Sequence, residues 1–291
     1  RRSIYMKPRQ SRIPATLTEK DFNEFVFPML TTGRRGPKSK ITNHKIFNYI
    51  LYLMHTGCQW HMLPIDKTES GHPEISYTRL FRHFKFWSDN GSFERIFESS
   101  VSRLFKKNLV DISVLHGDGT TTAAKKGGDN IGRNGHKHMT GDKIVSISDR
   151  NCNVISPFVT APGNRNESPM FPDAFKSLKR ISKSIGFSLR GCVMSLDGVY
   201  DSKQNRKMIF NAKMRPNINE NKRNRKATKR GRKRFFSASI FKERFKTIER
   251  VFAWEDKFKR LIVRFEHISA HHYSMKTIAY TMINLRHFCK P

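Results

Sequence analysis

Two acidic residues at the ends of apolar segments are the part of this sequence best suited to chemistry. Asp118 follows Val114 and Leu115, and Asp197 follows the apolar run Cys192–Leu196. If both runs are strands, the two side chains project into the crevice at the sheet edge, where α/β folds bind their ligands. Two carboxylates there favour a hard divalent cation. Each Asp also precedes a Gly, and an Asp-Gly pair is equally typical of a plain turn.

Glu249 is the candidate third acid, on a predicted helix. Apolar spacing predicts one long amphipathic helix over Ser237–Ile262. Glu249 lies about 40° from Phe245 and about 60° from Phe252, two residues of the predicted inward stripe. A lone carboxylate at the edge of a buried face is costly unless it is paired or binds a cation.

Two other interpretations of this helix stay open. Glu249 can form a salt bridge with Lys246, three residues earlier, which contributes only tenths of a kcal/mol. Asp256 falls about 20° from Phe245, so helical spacing alone does not exclude it as the third acid.

The charge balance points to a polyanionic partner. The 291 residues contain 56 Lys and Arg against 24 Asp and Glu, a formal net charge of +32. Such an excess repels itself unless a polyanion neutralises it, so nucleic acid is the first candidate. An anionic membrane surface is the weaker candidate because no apolar face interleaves the basic residues. We expect no membrane and no small-molecule substrate.

Basic residues cluster in two places that suit contact with a DNA backbone. Residues 213–234 hold 11 Lys and Arg against one acid, Glu220, and a solvated, disordered run is the alternative interpretation. A shorter basic break precedes the second predicted helix. The candidate DNA-binding residues in and near these segments and on the Glu249 helix are Arg34, Arg35, Lys38, Lys222, Arg223, Arg225, Lys226, Lys229, Arg230, Arg232, Lys233, Arg234, Arg244, Lys246 and Lys257.

Periodicity divides the chain into a helical part and an α/β part. We predict a flexible basic N-terminus (1–16), a helical, helix-turn-helix-like DNA-binding domain (17–110) and an α/β catalytic domain (111–291) with a basic insertion at 213–234. A small helical bundle with a solvated basic face is the alternative for the second of these. In the third, three strands, a helix, a strand and further helices predict one mixed sheet with flanking helices.

Several segments resemble the motifs of bacterial insertion-sequence transposases of the Asp-Asp-Glu type, and the resemblance runs from about Leu17 to Cys289. The segments, in chain order, are Gly57–Pro64, His116–Thr120, Gly128–Lys143, Pro162–Ser168, Leu196–Ser202 and Ile248–Trp254. Single motifs of this kind are weakly specific, whereas several in the correct order are strongly specific.

The resemblance implies a fold, an activity and partners. The fold would be an RNase H-like catalytic core preceded by an all-helical N-terminal DNA-binding domain. Asp118, Asp197 and Glu249 would be both the catalytic residues and the ligands of two Mg²⁺ ions, for which Mn²⁺ can substitute. The activity would be cleavage of double-stranded DNA at the element's inverted repeats and joining of the 3′-hydroxyl ends to target DNA. A homodimer at paired DNA ends and a cytoplasmic, nucleoid-associated location would follow.

The spacing around Glu249 departs from the family pattern. The family has three residues between its Arg and its Glu and six between the Glu and a Lys, whereas Arg244 has four and Lys257 has seven. In a regular helix Arg244 would lie about 140° from Glu249. Either Lys246 takes over contact with the phosphate or a helix bulge restores the register. A copy that binds DNA but no longer cuts it, or a non-enzymatic basic nucleic-acid-binding protein, is therefore the alternative function.

Overall fold

The structure is a computed structural model that describes residues 13–33, 39, 41–135, 137–221 and 234–290. Most of the predicted flexible N-terminus lies outside these ranges. So do the candidate DNA-binding residues Arg34, Arg35, Lys38, Lys222, Arg223, Arg225, Lys226, Lys229, Arg230, Arg232 and Lys233.

The N-terminal region is helical, as predicted. Its described residues form the α-helices α1 (Glu19–Phe25), α2 (Asn43–Thr56), α3 (Tyr77–Asp89) and α4 (Ser92–Lys106). The Thr42 side chain caps the first turn of α2, and Gly57 ends this helix with a left-handed φ of 74°.

Side chains cap two of the other helices. The Thr18 hydroxyl caps α1 and accepts a hydrogen bond from the backbone N–H of Asp21. The Ser76 hydroxyl caps α3 and accepts one from the backbone N–H of Arg79. Gly91 takes the cap position of α4.

A seven-stranded mixed sheet forms the centre of the rest of the chain. Its strands are β1 (Val114–Ala124), β2 (Gly132–Asn134), β3 (Met139–Ser148), β4 (Val159–Pro162), β5 (Val193–Leu196), β6 (Arg215–Ile218) and β7 (Val263–Arg264). The main order is β2-β3-β1-β5-β6, with β4 paired to β3 and β7 paired to β1. Strands β2, β3 and β4 run antiparallel to their neighbours, whereas β1, β5, β6 and β7 are mutually parallel where they pair.

In the described part of the chain, six α-helices accompany this sheet. They are α5 (Phe171–Ile185), α6 (Lys203–Asn211), α7 (Ala238–Lys242), α8 (Ile248–Glu255), α9 (Lys259–Ile262) and α10 (Ser269–Leu285). The predicted single helix over Ser237–Ile262 is wrong, because α7 is followed by a 3₁₀ turn at Glu243–Lys246 and the backbone of Thr247 leaves the helical region at φ −123° and ψ −94°.

The strands differ from the prediction at two points. Asp118 lies in the middle of β1 rather than at its end, because β1 continues through Thr120–Thr122 paired with β3. The predicted basic insertion contains β6 in its first part.

One apolar core joins the N-terminal helices to the sheet region. Helix α10 carries much of this contact, since its residues Met275, Ile278, Met282 and Ile283 are fully or almost fully buried. Polar contacts cross the same boundary, and the Asn284 amide donates to Ser100 at 3.1 Å. The predicted domain boundaries remain a prediction. Among the described residues, none of the helices combines the length and apolar character needed to cross a membrane.

Candidate active site

The guanidinium group of Arg244 brings the three predicted acids together. Its Nη2 donates to Oδ2 of Asp118 at 2.5 Å, its Nη1 lies 3.5 Å from Oδ1 of Asp197, and its Nε lies 3.6 Å from Oε1 of Glu249. A guanidinium group is small, planar and rigid, so three carboxylates that contact one must lie within a few ångströms of each other. The three acids therefore form one cluster, although they are far apart in the sequence.

Asp118 is the most buried acid of this cluster. Its side chain is 14% exposed, and its Oδ1 accepts a hydrogen bond from the backbone N–H of Gly119 at 2.9 Å. Burial raises the pKa of Asp118 to about 6, even though Arg244 and the Gly119 N–H act in the opposite direction. The nearby Glu167 carboxylate raises this pKa further.

Asp197 reaches the cluster because β5 runs parallel to β1. Val114 pairs with Val193 and His116 with Ser195, and the same offset sets Asp197 level with Asp118. Asp197 follows the last residue of β5, and its Oδ1 accepts from the N–H of Gly198 at 2.6 Å. Its side chain is 43% exposed, so this side of the cluster is open to solvent.

Glu249 meets Arg244 because the predicted helix is broken between them. Arg244 belongs to the 3₁₀ turn, whereas Glu249 lies in the first turn of α8. A regular helix would place Arg244 and Glu249 about 140° apart. The break at Thr247 removes this separation, which agrees with the alternative that an irregularity in the helix restores the register. The Glu249 side chain is 40% exposed.

Two anchors keep the segments on either side of Thr247 in place. Arg150 forms a bidentate ion pair with Glu243, at 2.8 and 2.7 Å, and thereby fixes the 3₁₀ turn. Ile248 and Val251 are fully buried and fix α8. The inward stripe predicted through Phe245 is wrong, since that side chain is 61% exposed.

Of the described candidates for DNA contact, Arg244 belongs to this cluster and the others have different surroundings. Lys246 and Lys257 are exposed, and the Asp256 side chain is not among the ion-pair partners of Arg244 in the described part of the chain. Arg234 pairs with Asp201 at 3.1 Å and lies 3.6 Å from Glu220. A DNA-binding role for Arg234, Arg244, Lys246 or Lys257 stays a prediction.

Glu167 is a fourth acid beside the cluster and was not among the predicted site residues, although it lies in the segment Pro162–Ser168 that resembles a family motif. Its carboxylate accepts a hydrogen bond from the Tyr200 hydroxyl at 3.1 Å and lies 3.3 Å from Nζ of Lys143. A side chain at Gly119 would place its Cβ 2.5 Å from the Glu167 carboxyl carbon, so it would displace this carboxylate from its present position. Glu167 thus links β1 next to Asp118 with the turn that follows Asp197.

Comparisons with known proteins agree with this arrangement. A family model described as "Transposase DDE domain" matches residues 108–282, which is more than half of the chain. The chain belongs to the transposase DDE domain family. A second model, described as "Putative transposase of IS4/5 family", matches residues 17–97 of this transposase. No curated protein matches the chain.

A solved structure also resembles the transposase. Its description is "Mos1 transposase paired-end complex with left transposon end", and it is 11% identical, with a TM-score of 0.27. The match covers 64% of this chain and 60% of the other chain. Because this TM-score is low, the family of the chain is identified from the two family models and not from this structure.

The predicted family and the predicted fold class are therefore confirmed. The transposase has a mixed α/β fold whose sheet and flanking helices form an RNase H-like core, and a helical region precedes this core.

The chemistry of the acid cluster fits a divalent cation, and transposases of this family generally use such ions. Asp118, Asp197 and Glu249 offer carboxylate oxygens, the ligands that Mg²⁺ prefers, and they face one positive charge. Among the described residues, no group of three or more His, Cys, Asp or Glu is already arranged as a metal site. The guanidinium of Arg244 lies between the carboxylates instead.

Proposed function

We propose that this transposase cuts DNA at the inverted repeats of an insertion sequence and joins the freed 3′ ends to target DNA. The observation that carries the proposal is the contact of Arg244 with Asp118, Asp197 and Glu249. Three acids from a central strand, a strand end and a helix meet at one point, where Asp118 is buried and Asp197 and Glu249 are open to solvent. Both the mixed sheet and the family assignment agree with a phosphodiester-cleaving site of this kind.

The acids would hold two Mg²⁺ ions, or Mn²⁺ in their place. Bound there, such ions activate an attacking oxygen and stabilise the oxygen that leaves phosphorus. Asp118 is fixed by its strand and by the Gly119 N–H, so it would set the position of the reacting phosphate most rigidly. Asp197 and Glu249 are more exposed and would close the site from the solvent side.

Arg244 would change partners during binding. As long as no other cation is bound, it neutralises part of the carboxylate charge, and its guanidinium carbon also lies 5.3 Å from the centre of the Phe241 ring. A cation that binds the carboxylates competes with it directly. The released guanidinium is then available to pair with a DNA phosphate, for which its planar fork is well suited.

The reaction would proceed in two displacements at phosphorus. In the first, a water oxygen forms a bond to the phosphorus, and the bond from phosphorus to the 3′ oxygen breaks. The 3′ oxygen takes up a proton and becomes a free hydroxyl. In the second, that hydroxyl attacks a target phosphodiester, loses its proton and displaces another 3′ oxygen, so no covalent bond to the protein is needed.

The rest of the chain would position the DNA. The net charge of +32 favours binding to a polyphosphate, and the N-terminal helices present basic residues such as Arg79 and Arg82 on their exposed faces. Two element ends must be held together for joining, so we propose that the protein acts as a homodimer on paired ends.

Cleavage of duplexes that carry the flanking inverted repeats tests the proposal. We expect Asp118→Asn, Asp197→Asn and Glu249→Gln each to reduce cleavage in Mg²⁺ by on the order of 10³-fold or more, as removal of a group that stabilises transition-state charge does. Binding in a gel-shift assay should persist. Asp173→Asn, which removes an exposed acid of α5, is the matched control and should cut normally.

Other results would overturn parts of the proposal. Full cleavage by one of the three variants would remove that residue from the site. Binding without any cleavage by the unaltered protein would instead favour the alternative of a decayed copy.

A further inference from the structure

A basic pocket lies next to the acid cluster and is not explained by the cutting chemistry. Its volume is about 370 Å³, and it lies between β2, β3 and the turn that follows β4. Its walls include Arg133, Lys137, Arg165 and the side chains of two asparagines, Asn164 and Asn166. The acid cluster itself is not part of its lining.

Close backbone contacts build this pocket. A Cβ at Gly163, in the turn, would lie 2.7 Å from the backbone oxygen of Gly132 and 2.8 Å from that of Gly141, so the turn packs directly on β2 and β3. The Nζ of Lys143, in β3, donates to the backbone oxygen of Arg165 at 3.0 Å and ties that turn to the sheet. The turn therefore has a fixed position on the sheet, and the pocket is a formed feature.

The pocket carries unbalanced positive charge. Arg133, Lys137 and Arg165 are exposed, and none of them takes part in an ion pair among the described residues. The acid in the lining, Glu167, is already paired with Lys143. An anionic ligand would therefore find three available cationic groups.

Two residues connect the pocket with the acid cluster. Glu167 lines the pocket and also lies against Gly119, next to Asp118. Val199 lines the pocket and follows Asp197 by two residues, and this apolar side chain is 45% exposed. A ligand in the pocket would thus lie directly beside the group that reacts.

The size and lining select the form of the ligand. A DNA duplex is roughly 20 Å wide and is read through grooves of about 12 Å or less, so it cannot enter a pocket of this volume, whereas a single nucleotide can. The cations suit its phosphate, the Asn164 and Asn166 amides can donate to and accept from a base edge, and Val199 offers an apolar surface to a sugar or base. We propose that this pocket binds one nucleotide of an unpaired DNA strand, next to the phosphate that reacts.

This proposal deepens the proposed function, on which it rests, by naming the form of the DNA at the site. A strand that is unpaired near the cut would enter the pocket while the duplex remains on the surface. The acids would then act on the phosphate at the junction between the two.

Salt dependence of DNA binding tests the proposal without any cleavage step. The probes are a single-stranded 12-mer of thymidylate and a 12-base-pair duplex, each titrated in EDTA over a range of salt concentrations. The double variant Arg133→Gln/Arg165→Gln is compared with Lys183→Gln/Arg190→Gln, which removes the same charge from exposed positions around the far end of α5. Folding of both variants is checked by thermal unfolding.

We expect the pocket variant to lose salt-dependent affinity for the single strand and not for the duplex. Each lost phosphate contact lowers the slope of log K against log salt by about 0.7 for a single strand, so the pocket variant should lose about 1.4. The control variant should lose less, and the two variants should bind the duplex alike. A 12-mer with a terminal 5-iodouridine should also crosslink to the segment 163–167 in the parent protein and not in the pocket variant.

Equal losses in both variants, or no preference for the single strand, would overturn the pocket proposal and show a general charge effect only. Because the assay is done without metal ions, this outcome would leave the cutting function intact. Failure of the cutting function would appear instead as absent cleavage with an unchanged single-strand result.

Discussion

Two arginines of this transposase each contact carboxylates from several elements, but they are held in different ways. Arg244 makes one hydrogen bond to an acid and two longer ion pairs, and its three acidic partners include two that are 40% or more exposed. Arg264, in β7, is completely buried. Three different backbone carbonyls and two acids surround it.

The details of the Arg264 site show why it is structural. Its Nε donates to the backbone oxygen of Glu266 at 2.9 Å, and its Nη2 donates to the backbone oxygens of Asp129 and His267 at 2.8 and 3.0 Å. Its Nη1 donates to the buried Asp142 of β3 at 3.3 Å. Backbone carbonyls in fixed chain segments cannot leave, so this guanidinium cannot exchange its partners.

The difference separates a binding site from a structural ion-pair network. Both places collect charges that are distant in the sequence, so clustering alone does not identify a site. Arg244 faces an excess of carboxylates that solvent can reach, and each of these can accept another cation in its place. We infer function where the partners of a charged group are replaceable, and stability where they are not.

Replacement of each arginine by methionine should give the sharpest contrast. Arg264→Met leaves Asp142 buried without its charge partner and leaves backbone carbonyls unsatisfied, so we expect a loss of about 3–5 kcal/mol in the free energy of unfolding. Arg244→Met should change it less, by about 2 kcal/mol or less, because Asp197 and Glu249 are 43% and 40% exposed and the buried Asp118 can take up a proton. Thermal unfolding in EDTA measures both. Equal losses would show that Arg244 is also structural.

The second expected effect is a pH dependence of stability that comes from Asp118. The unfolded chain loses the Asp118 proton near its ordinary pKa of 3.8, whereas the folded protein keeps it to about pH 6. The folded state therefore binds more protons in this window, and the free energy of unfolding falls as the pH rises from about 4 to 6. Asp118→Asn removes this dependence, so without metal ions it should be the more stable protein at pH 7.5, by on the order of 2–3 kcal/mol.

Thermal unfolding of the parent and Asp118→Asn between pH 4 and 8 checks this expectation. The curves should approach each other near pH 4 and separate as the pH rises. If the free energy of unfolding of Asp118→Asn exceeded that of the parent by the same amount at every pH, burial would not shift the pKa of Asp118. If it exceeded that of the parent only at low pH, the pKa of Asp118 would be lowered rather than raised.

The smallest of these effects concerns metal affinity. Arg244→Gln removes the cation that competes for the three carboxylates, so Mn²⁺ should bind about tenfold more tightly, which corresponds to about 1.4 kcal/mol. An electron paramagnetic resonance titration of free Mn²⁺ measures this affinity. Lys246→Gln is the matched control because it removes the same charge from an exposed residue two positions away. If both variants gained the same affinity for Mn²⁺, the gain would result from the lower net charge and not from the loss of competition by Arg244.

The sequence was sufficient for the family, the fold class and the identity of the three clustered acids. Asp118 and Asp197 both follow apolar runs, and the parallel pairing of those runs makes them meet. Helical periodicity did not place Glu249 correctly, because it was measured from Phe245, which is exposed and lies before the helix break; the family resemblance identified Glu249.

Several features depended on tertiary contacts that local patterns do not record. Strand β1 extends through Thr120–Thr122 because β3 pairs with it along that length, although these residues carry no apolar pattern. Strand β6 contains Pro216 and Arg215, which no strand pattern favours, and it forms by pairing with β5. The segment before the helix break at Thr247 is held by the ion pair of Glu243 with Arg150, 93 residues earlier in the chain.

The break at Thr247 also affects how related sequences should be searched. The segments before and after it are anchored separately, so an added residue between them shifts the chain locally without moving either anchor. The number of residues between an arginine and its partner acid is then a poor criterion for membership, and patterns that demand a constant interval will pass over chains built like this one. A search that scores the two anchored segments independently, with a variable gap, would recover them.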